Sequence, residues 1–142
     1  MIFTLDTNIY VDALRQPPEM DRLKEFLSWA LPATVLSSVV AAELAARARS
    51  DRARLVLERA VLAPFERRGR IKAPSVAAWG RTGMILSGMT GTRLLANRQN
   101  DVLIASQARE EGWVIVTRDA DFSALRRAIA GLRVREPYPD PI

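Results

Sequence analysis

The chain has 142 residues, of which about half are apolar and a quarter are charged, with a net charge of +5. This profile is typical of one globular domain with a sizeable core. Cysteine and histidine are both absent, which excludes disulfides, Ser-His-Asp and Cys-His catalysis, and metal sites that use thiolate or imidazole ligands. A metal site must therefore be built from oxygen ligands, which favours Mg²⁺ or Mn²⁺.

The sequence contains no apolar stretch near the roughly 20 residues that cross a bilayer. The first residues, MIFTLD, lack the basic region that precedes the apolar core of a signal peptide. We therefore expect a cytoplasmic protein that makes no membrane contact.

Of the 21 basic residues, 19 are arginine. The planar guanidinium suits bidentate contacts with phosphates, so the composition favours a polyanionic partner such as a nucleic acid. A GC-rich genome enriches arginine and alanine as well, and composition alone leaves both explanations open.

Apolar runs alternate with helical periodicity along the chain. Strands are predicted at residues 2–6, 33–36, 70–73, 113–116 and 132–135. Helices are predicted at residues 9–15, 19–31, 39–50, 52–63, 75–86, 101–111 and 122–130. Pro64 is expected to end the fourth helix, with Asp51 as its N-cap, and Trp79 is expected to pack in the core. This alternation predicts one domain over residues 1–136 with a parallel sheet and helices on both faces.

Two segments are predicted to lack regular secondary structure. Residues 87–100, SGMTGTRLLANRQN, are rich in Gly, Thr and Asn and predict a loop. Residues 137–142, PYPDPI, predict a proline-rich tail.

Four acidic residues each have an ordinary explanation when taken alone. Asp6 and Asp119 follow predicted strands, and Asp101 falls in the first turn of a predicted helix, where the helix dipole favours a negative group. Glu43 shares a helix face with apolar residues, and it could lie at the edge of that face and pair with Arg47.

Taken together, the four acids are expected at one edge of a parallel sheet, where ligands bind in open α/β folds. Carboxylates that converge repel one another and raise each other's pKa, and a divalent cation relieves that repulsion. The pattern therefore predicts an oxygen-only Mg²⁺ or Mn²⁺ site. Such ions activate water and stabilise charge in phosphoryl chemistry, and nearby arginines would hold a polyanionic backbone.

Four segments carry a resemblance to a known family: LDTN, VVAAEL, NDVLIASQA and VTRDADF. In this order they resemble the signature segments of PIN-domain ribonucleases, and in particular the VapC-type toxins of toxin–antitoxin pairs. The resemblance covers essentially the whole chain. It implies a three-layer α/β/α sandwich with a central parallel sheet of about five strands, in the Rossmann-like doubly wound class.

The resemblance also implies Mg²⁺- or Mn²⁺-dependent endoribonuclease activity on an RNA substrate. Asp6, Glu43, Asp101 and Asp119 match the acidic quartet of the family, and Asp121 matches a more variable nearby acid. Thr7, Asn8 and Thr117 match polar residues that orient the acids. A homodimer and a small antitoxin protein that occupies the active-site groove are further implications.

Three alternatives stay open beside this interpretation. The chain could be a stand-alone PIN nuclease without an antitoxin, or a non-catalytic module on the same fold that binds nucleic acid or protein. A phosphoryl-aspartate protein is disfavoured, because Asn8 stands where a dehalogenase-type phosphatase needs a second Asp. The only lysines, Lys24 and Lys72, do not match the late lysine of a receiver domain.

Overall fold

The computed structural model describes residues 1–89 and 92–141, and of residues 92–97 it describes the backbone alone. Strands and helices alternate along this part of the chain. The strands are β1 (Ile2–Leu5), β2 (Leu36–Ser37), β3 (Ile71–Lys72), β4 (Trp113–Val116) and β5 (Arg133–Arg135). The α-helices are α1 (Thr7–Arg15), α2 (Pro17–Ala30), α3 (Ser38–Arg47), α4 (Asp51–Leu57), α5 (Ala63–Glu66), α6 (Val76–Ser87), α7 (Thr92–Glu111) and α8 (Ala120–Leu125).

The sheet consists of two parallel ladders joined by one bridge. One ladder has the order β1-β4-β5 and the other pairs β2 with β3. Phe3 of β1 bridges Thr34 in the parallel sense, and the Val35 N–H donates to the Phe3 carbonyl at 2.9 Å. The five strands therefore follow the order β3-β2-β1-β4-β5, which confirms the predicted parallel sheet and the doubly wound α/β class.

Strands β1 and β4 form the centre of the core because their side chains are almost all apolar and buried. Leu5, Ile115 and Val116 are fully buried. Helix α2 packs against the sheet, with the ring of Phe26 5.5 Å from that of Phe3 in an edge-on arrangement. This packing fixes the strand ends, which carry the acids.

The predicted loop at residues 87–100 is wrong for residues 92–100, because α7 begins at Thr92. Thr90 and Gly91 lie outside the described residues. The run Arg-Leu-Leu-Ala after Thr92 consists of strong helix formers, which outweigh the neighbouring Asn and Thr. Asp101 consequently lies in the middle of a 20-residue helix, so its predicted role in a first helical turn is also wrong.

The fourth predicted helix neither starts nor ends as expected. Ser50 rather than Asp51 is its N-cap, since the Ser50 hydroxyl accepts from the Ala53 N–H at 3.1 Å. The helix passes through a π-helical turn at Glu58–Leu62 and continues as α5 to Glu66. Pro64 lies in the first turn of α5, directly after the π-helical turn, where the regular α-helical hydrogen bonding is already interrupted.

Two further predictions are corrected. Trp79 is 50% exposed and is not a core residue. The helix predicted at residues 122–130 is shorter and earlier, because α8 runs from Ala120 to Leu125 with Asp119 as its N-cap. Among the helices described here, none is long and apolar enough to cross a membrane.

Candidate active site

Asp6 joins the end of β1 to the start of α1. Its Oδ1 accepts a hydrogen bond from the Thr7 N–H at 2.7 Å, which makes Asp6 the N-cap of α1. Its Oδ2 accepts from the Thr117 hydroxyl at 2.9 Å. The residue is only 5% exposed, so both carboxylate oxygens are held in a fixed, nearly dry position. Aspartate is favoured here because its side chain satisfies a free N–H at the helix start.

Thr117 links the ends of β1 and β4. Its buried hydroxyl donates to Asp6 and accepts from the Asp119 N–H at 3.0 Å. The Asn8 side-chain N–H donates to the same oxygen at 3.4 Å. One hydroxyl group therefore connects three of the residues that the sequence placed at the site.

Asp119 follows β4 and begins α8. Its Oδ1 accepts from the Asp121 N–H at 2.8 Å, in the same capping arrangement that Asp6 makes at α1. Asp6 and Asp119 thus lie at the carboxyl ends of two adjacent parallel strands, where each acid begins a helix.

Glu43 approaches this pair from α3. Ser37 caps α3, its hydroxyl accepting from the Val39 N–H at 3.2 Å. The Thr7 hydroxyl donates to Glu43 Oε1 at 2.8 Å, which ties α3 to the start of α1. The ion pairs of the described residues do not include one between Glu43 and Arg47, so the pairing considered for Glu43 is not observed there.

Asp101 completes the group from the middle of α7. The pKa of its carboxyl is raised to about 7, mainly by burial and then by the charges of Asp6, Asp119 and Glu43, while Arg98 opposes the shift. Burial likewise raises the pKa of Asp6 to about 6, aided by Glu43 and Asp119 and opposed by the hydrogen bonds from Thr117 and Thr7. The four acids of the predicted quartet therefore lie within electrostatic reach of one another.

Asp121 lies apart from the quartet. Its side chain is 59% exposed, and one oxygen lies 4.0 Å from a guanidinium nitrogen of Arg98. It is not among the charges that most raise the pKa of Asp6 or of Asp101. A role for Asp121 as a metal ligand stays a prediction.

The donor chemistry of this site suits a hard divalent cation, because the quartet offers carboxylate oxygens alone. The side-chain oxygen of Asn8 is also buried and has no hydrogen-bond partner in the described part of the molecule. As placed, no three acidic side chains of the described residues form a group that could hold an ion. The residue types therefore fit a hard divalent cation, although the quartet as placed does not by itself enclose one.

Two residues at the site were missed by the sequence analysis. Arg98 lies three residues before Asp101 in α7 and opposes the rise of its pKa. The loop predicted for this segment concealed the helical spacing that would have revealed it. Gln107 is 1% exposed, accepts from the Ser37 hydroxyl at 2.6 Å and donates to the Lys72 carbonyl at 3.0 Å. It fastens α7 to the start of α3, and its only sequence signal is a polar residue on an apolar helical face.

Solved structures with the same fold cover almost the whole chain. DNA-bound VapBC from Salmonella typhimurium is 25% identical, with a TM-score of 0.68 over 96% of this chain and 98% of that chain. FitAcB from Neisseria gonorrhoeae is 24% identical, with a TM-score of 0.67 over 94% and 96%. VapBC2 from Rickettsia felis, bound to a DNA fragment from its promoter, is 23% identical, with a TM-score of 0.60 over 96% and 98%.

Comparison with curated proteins finds no significant match. The family model described as PIN domain matches residues 3–128, a span that contains the entire acidic quartet. This match covers well over half of the sequence, and the chain belongs to the PIN domain family.

Proposed function

We propose that the protein is a Mg²⁺- or Mn²⁺-dependent endoribonuclease that hydrolyses RNA phosphodiester bonds at the site formed by Asp6, Glu43, Asp101 and Asp119. The observation that carries this proposal is the convergence of the acids: Thr117 links Asp6 to Asp119, Thr7 links Glu43 to the start of α1, and the charges of these three acids contribute to the raised pKa of Asp101. Mutual destabilisation of this kind has a stability cost and is relieved when a cation binds, which is typical of functional sites.

In this proposal Asp6, Asp101 and Asp119 hold the divalent ion, and Glu43 completes the site as a ligand or as a base. The ion would lower the pKa of water and offset negative charge on the phosphate. The residues around it have separate tasks. Thr117 fixes Asp6 and Asp119 relative to each other, and Thr7 orients Glu43.

We further propose that the chain is the toxin of a VapBC-type pair, with a small antitoxin protein as its partner and a homodimer as its assembly. Family membership and the likeness to VapBC from Salmonella typhimurium support this step. Light scattering would test the dimer. A small reading frame next to this gene whose product co-purifies with the protein would support the antitoxin, and its absence would favour a stand-alone nuclease.

We propose one domain over residues 1–136 with a tail at residues 137–142, because β5, which ends at Arg135, still pairs with β4 of the sheet. Tyr138 of the tail packs its ring 5.2 Å from that of Phe26, and the guanidinium carbons of Arg22 and Arg118 lie 5.3 and 5.9 Å from the centre of the Tyr138 ring. The tail therefore contacts the domain surface at this residue.

The decisive experiment compares Asp6→Asn and Asp101→Asn with the parent protein on single-stranded RNA in Mn²⁺. We expect cleavage to fall by at least about a thousandfold in both variants, since several kcal/mol of transition-state stabilisation depends on the ion. EDTA should abolish parent cleavage, and added Mn²⁺ should restore it.

Asp21→Asn is the matched control, because Asp21 is an exposed acid on α2, and it should cleave as the parent does. If the Asp6 and Asp101 variants retain parent activity, the site is wrongly assigned. A parent protein that binds RNA but does not cleave it with either ion would favour the non-catalytic binding module.

A further inference from the structure

Two cavities of opposite character meet at Glu43. The first has a volume of about 470 Å³ and is lined by Glu43, Ala46, Trp79, Asn100 and Leu103, among other small or apolar residues. The second has a volume of about 530 Å³ and is lined by Arg15, Arg47 and Arg49 together with the same Glu43 and Ala46. A catalytic acid of the proposed site therefore separates an apolar cavity with an aromatic wall from a strongly basic one.

The side chain of Trp79 is exposed and is not part of the hydrophobic core. Its side chain is 50% exposed, and it is the only aromatic residue among the exposed large hydrophobic residues of the described chain. An exposed indole gains little for folding, and large aromatic side chains at the surface are typical of contact sites. The structure therefore leaves a half-exposed indole in a cavity that Glu43 of the acidic quartet also lines.

The helix that carries Trp79 is held firmly against the helix that carries Asp101. The Ser75 hydroxyl caps α6 by accepting from the Ala78 N–H at 3.0 Å, and it also donates to Glu110 of α7. The buried Thr82 hydroxyl lies 3.3 Å from the Ser106 hydroxyl of α7. Trp79 and Asp101 consequently sit on two helices with a fixed relation to each other.

We propose that the cavity between Trp79 and Asn100 is a subsite for one unpaired nucleobase of the RNA strand whose phosphate lies at the acidic quartet. The inference rests on the proposed function. The base stacks on the indole of Trp79, and the Asn100 amide can donate to or accept from the edge of the base. The arginines beyond Glu43 hold phosphates of the same strand.

The arrangement matches single-stranded nucleic acid better than a protein chain. A strand presents flat bases and charged phosphates in alternation, and the surface presents an aromatic cavity and a basic cavity on either side of one acid. Stacking on an aromatic residue is available to an unpaired base and not to a base inside a duplex. The subsite therefore selects single-stranded RNA and places one base close to the bond that is cut.

The test compares Trp79→Ala and Trp79→Phe with the parent in binding and in cleavage of a single-stranded RNA oligonucleotide. Binding is measured by fluorescence polarisation in Ca²⁺ or EDTA so that the RNA stays intact, and cleavage is measured separately in Mn²⁺. We expect Trp79→Ala to bind about tenfold more weakly, within the range found for loss of one stacked base. Trp79→Phe keeps an aromatic face and should stay within about threefold of the parent.

A second oligonucleotide series replaces one nucleotide at a time by an abasic residue. At one position next to the cleaved bond, the parent should lose about tenfold in binding, and Trp79→Ala should lose almost nothing more. Met84→Ala is the matched control, because Met84 is an exposed apolar residue on the same helix outside this cavity. It should bind and cleave as the parent does.

Equal binding by Trp79→Ala and the parent, or a loss that is the same at every abasic position, would overturn the subsite and leave the proposed nuclease intact. So would a change of Trp79→Ala from dimer to monomer in light scattering with RNA binding unchanged, which would assign Trp79 to an interface between two copies. A parent that neither binds nor cleaves RNA would overturn both proposals.

Discussion

The two halves of the acidic site are built differently. Asp6 and Asp119 lie at strand ends, where each caps a helix and the Thr117 hydroxyl connects them. The carboxylate of Asp101 accepts no hydrogen bond from the atoms that the structure describes, and its pKa, raised to about 7, is higher than that of Asp6 at about 6. The strand half, Asp6 and Asp119, is positioned by hydrogen bonds within the protein. The helix half, Glu43 and Asp101, depends on how α3 and α7 pack and on which positive charge neutralises the two carboxylates.

This difference shows that the cost of burying a charged carboxylate is higher at Asp101 than at Asp6. Hydrogen bonds to a carboxylate favour its charged form, so they offset part of the cost of burying Asp6. Asp101 has Arg98 alone as an opposing influence and faces three like charges. A bound cation would therefore stabilise the helix half more than the strand half.

Among substitutions that keep all four acids, removing the hydroxyl of Thr117 should have the largest effect, because this hydroxyl connects Asp6 and Asp119. Thr117→Val leaves the Asp119 N–H and one oxygen of Asp6 without their partner. We expect RNA cleavage to fall about 10–100-fold, as for other residues that orient metal ligands. The free energy of unfolding should fall by about 1–3 kcal/mol, measured by urea denaturation.

Thr117→Ser restores the hydroxyl and is the control, so it should recover most of the activity. The Val substitution should also move the pH dependence of cleavage to higher pH. The Thr117 hydrogen bond lowers the pKa of Asp6, and its loss lets protons compete for that carboxylate more strongly. A Val variant with parent activity and an unchanged pH profile would contradict this account of the strand half.

The stability and activity that depend on the helix half should fall after a substitution that keeps all of the acids. Ser37→Ala removes the cap of α3 and leaves the buried Gln107 side-chain oxygen without its 2.6 Å hydrogen bond. We expect the free energy of unfolding to fall by about 1–3 kcal/mol, since a buried acceptor is left unpaired. Cleavage should fall too, because the helices that carry Glu43 and Asp101 lose their link.

Ser50→Ala is the matched control, because Ser50 caps α4 in an exposed position. It should cost about 1 kcal/mol at most in the free energy of unfolding and leave cleavage unchanged. Equal losses in the two variants would mean that Ser37 acts only as a helix cap and that Gln107 does not link the two helices.

Asp101→Asn should have the smallest effect on stability. We expect it to stabilise the protein without metal ions, because it removes a buried negative charge that other acids repel. The folded pKa values of Asp6 and Asp101, about 6 and about 7, lie above the ordinary value of 3.8. The folded protein therefore binds protons that the unfolded chain releases in that range. Stability without metal ions should fall as pH rises from about 4 to about 7 and then level off.

Thermal unfolding in EDTA at about pH 5.5 and about pH 8 tests this expectation. The parent should melt at the lower temperature at the higher pH, and Asp101→Asn should melt about 2–4 °C above the parent there. Added Mn²⁺ should raise the melting temperature of the parent more than that of the variant. A variant less stable than the parent at pH 8 would show that Asp101 is stabilised in the folded protein by groups other than a cation.

Much of the strand half could be predicted from the sequence. Short apolar runs that end in Asp6 or in Thr117-x-Asp119 show both the strand and the acid that follows it, and parallel strands bring their ends to one edge. The position of Asp101 in the helix half could not be predicted in the same way. Asp101 was predicted to lie in a first helical turn because the Gly, Thr and Asn residues before it resemble a loop, whereas α7 begins nine residues earlier.

Contacts between distant segments explain the remaining differences. No local pattern shows that Ser37 and Gln107 meet, since 70 positions separate them. Trp79 was predicted to be buried because tryptophan is usually well covered in a fold. Its exposure depends on how α6 packs against α7, a relation set by tertiary contacts such as the one between Ser75 and Glu110.

The helix-capping role of Asp119 has a practical consequence. Oδ1 accepts from the Asp121 N–H, and asparagine caps helices about as well as aspartate does. Asp119→Asn therefore removes one negative charge from the site while the start of α8 can keep its cap. Under the proposed function such a variant should be folded and inert, which makes it suited to capturing uncut RNA for structure determination.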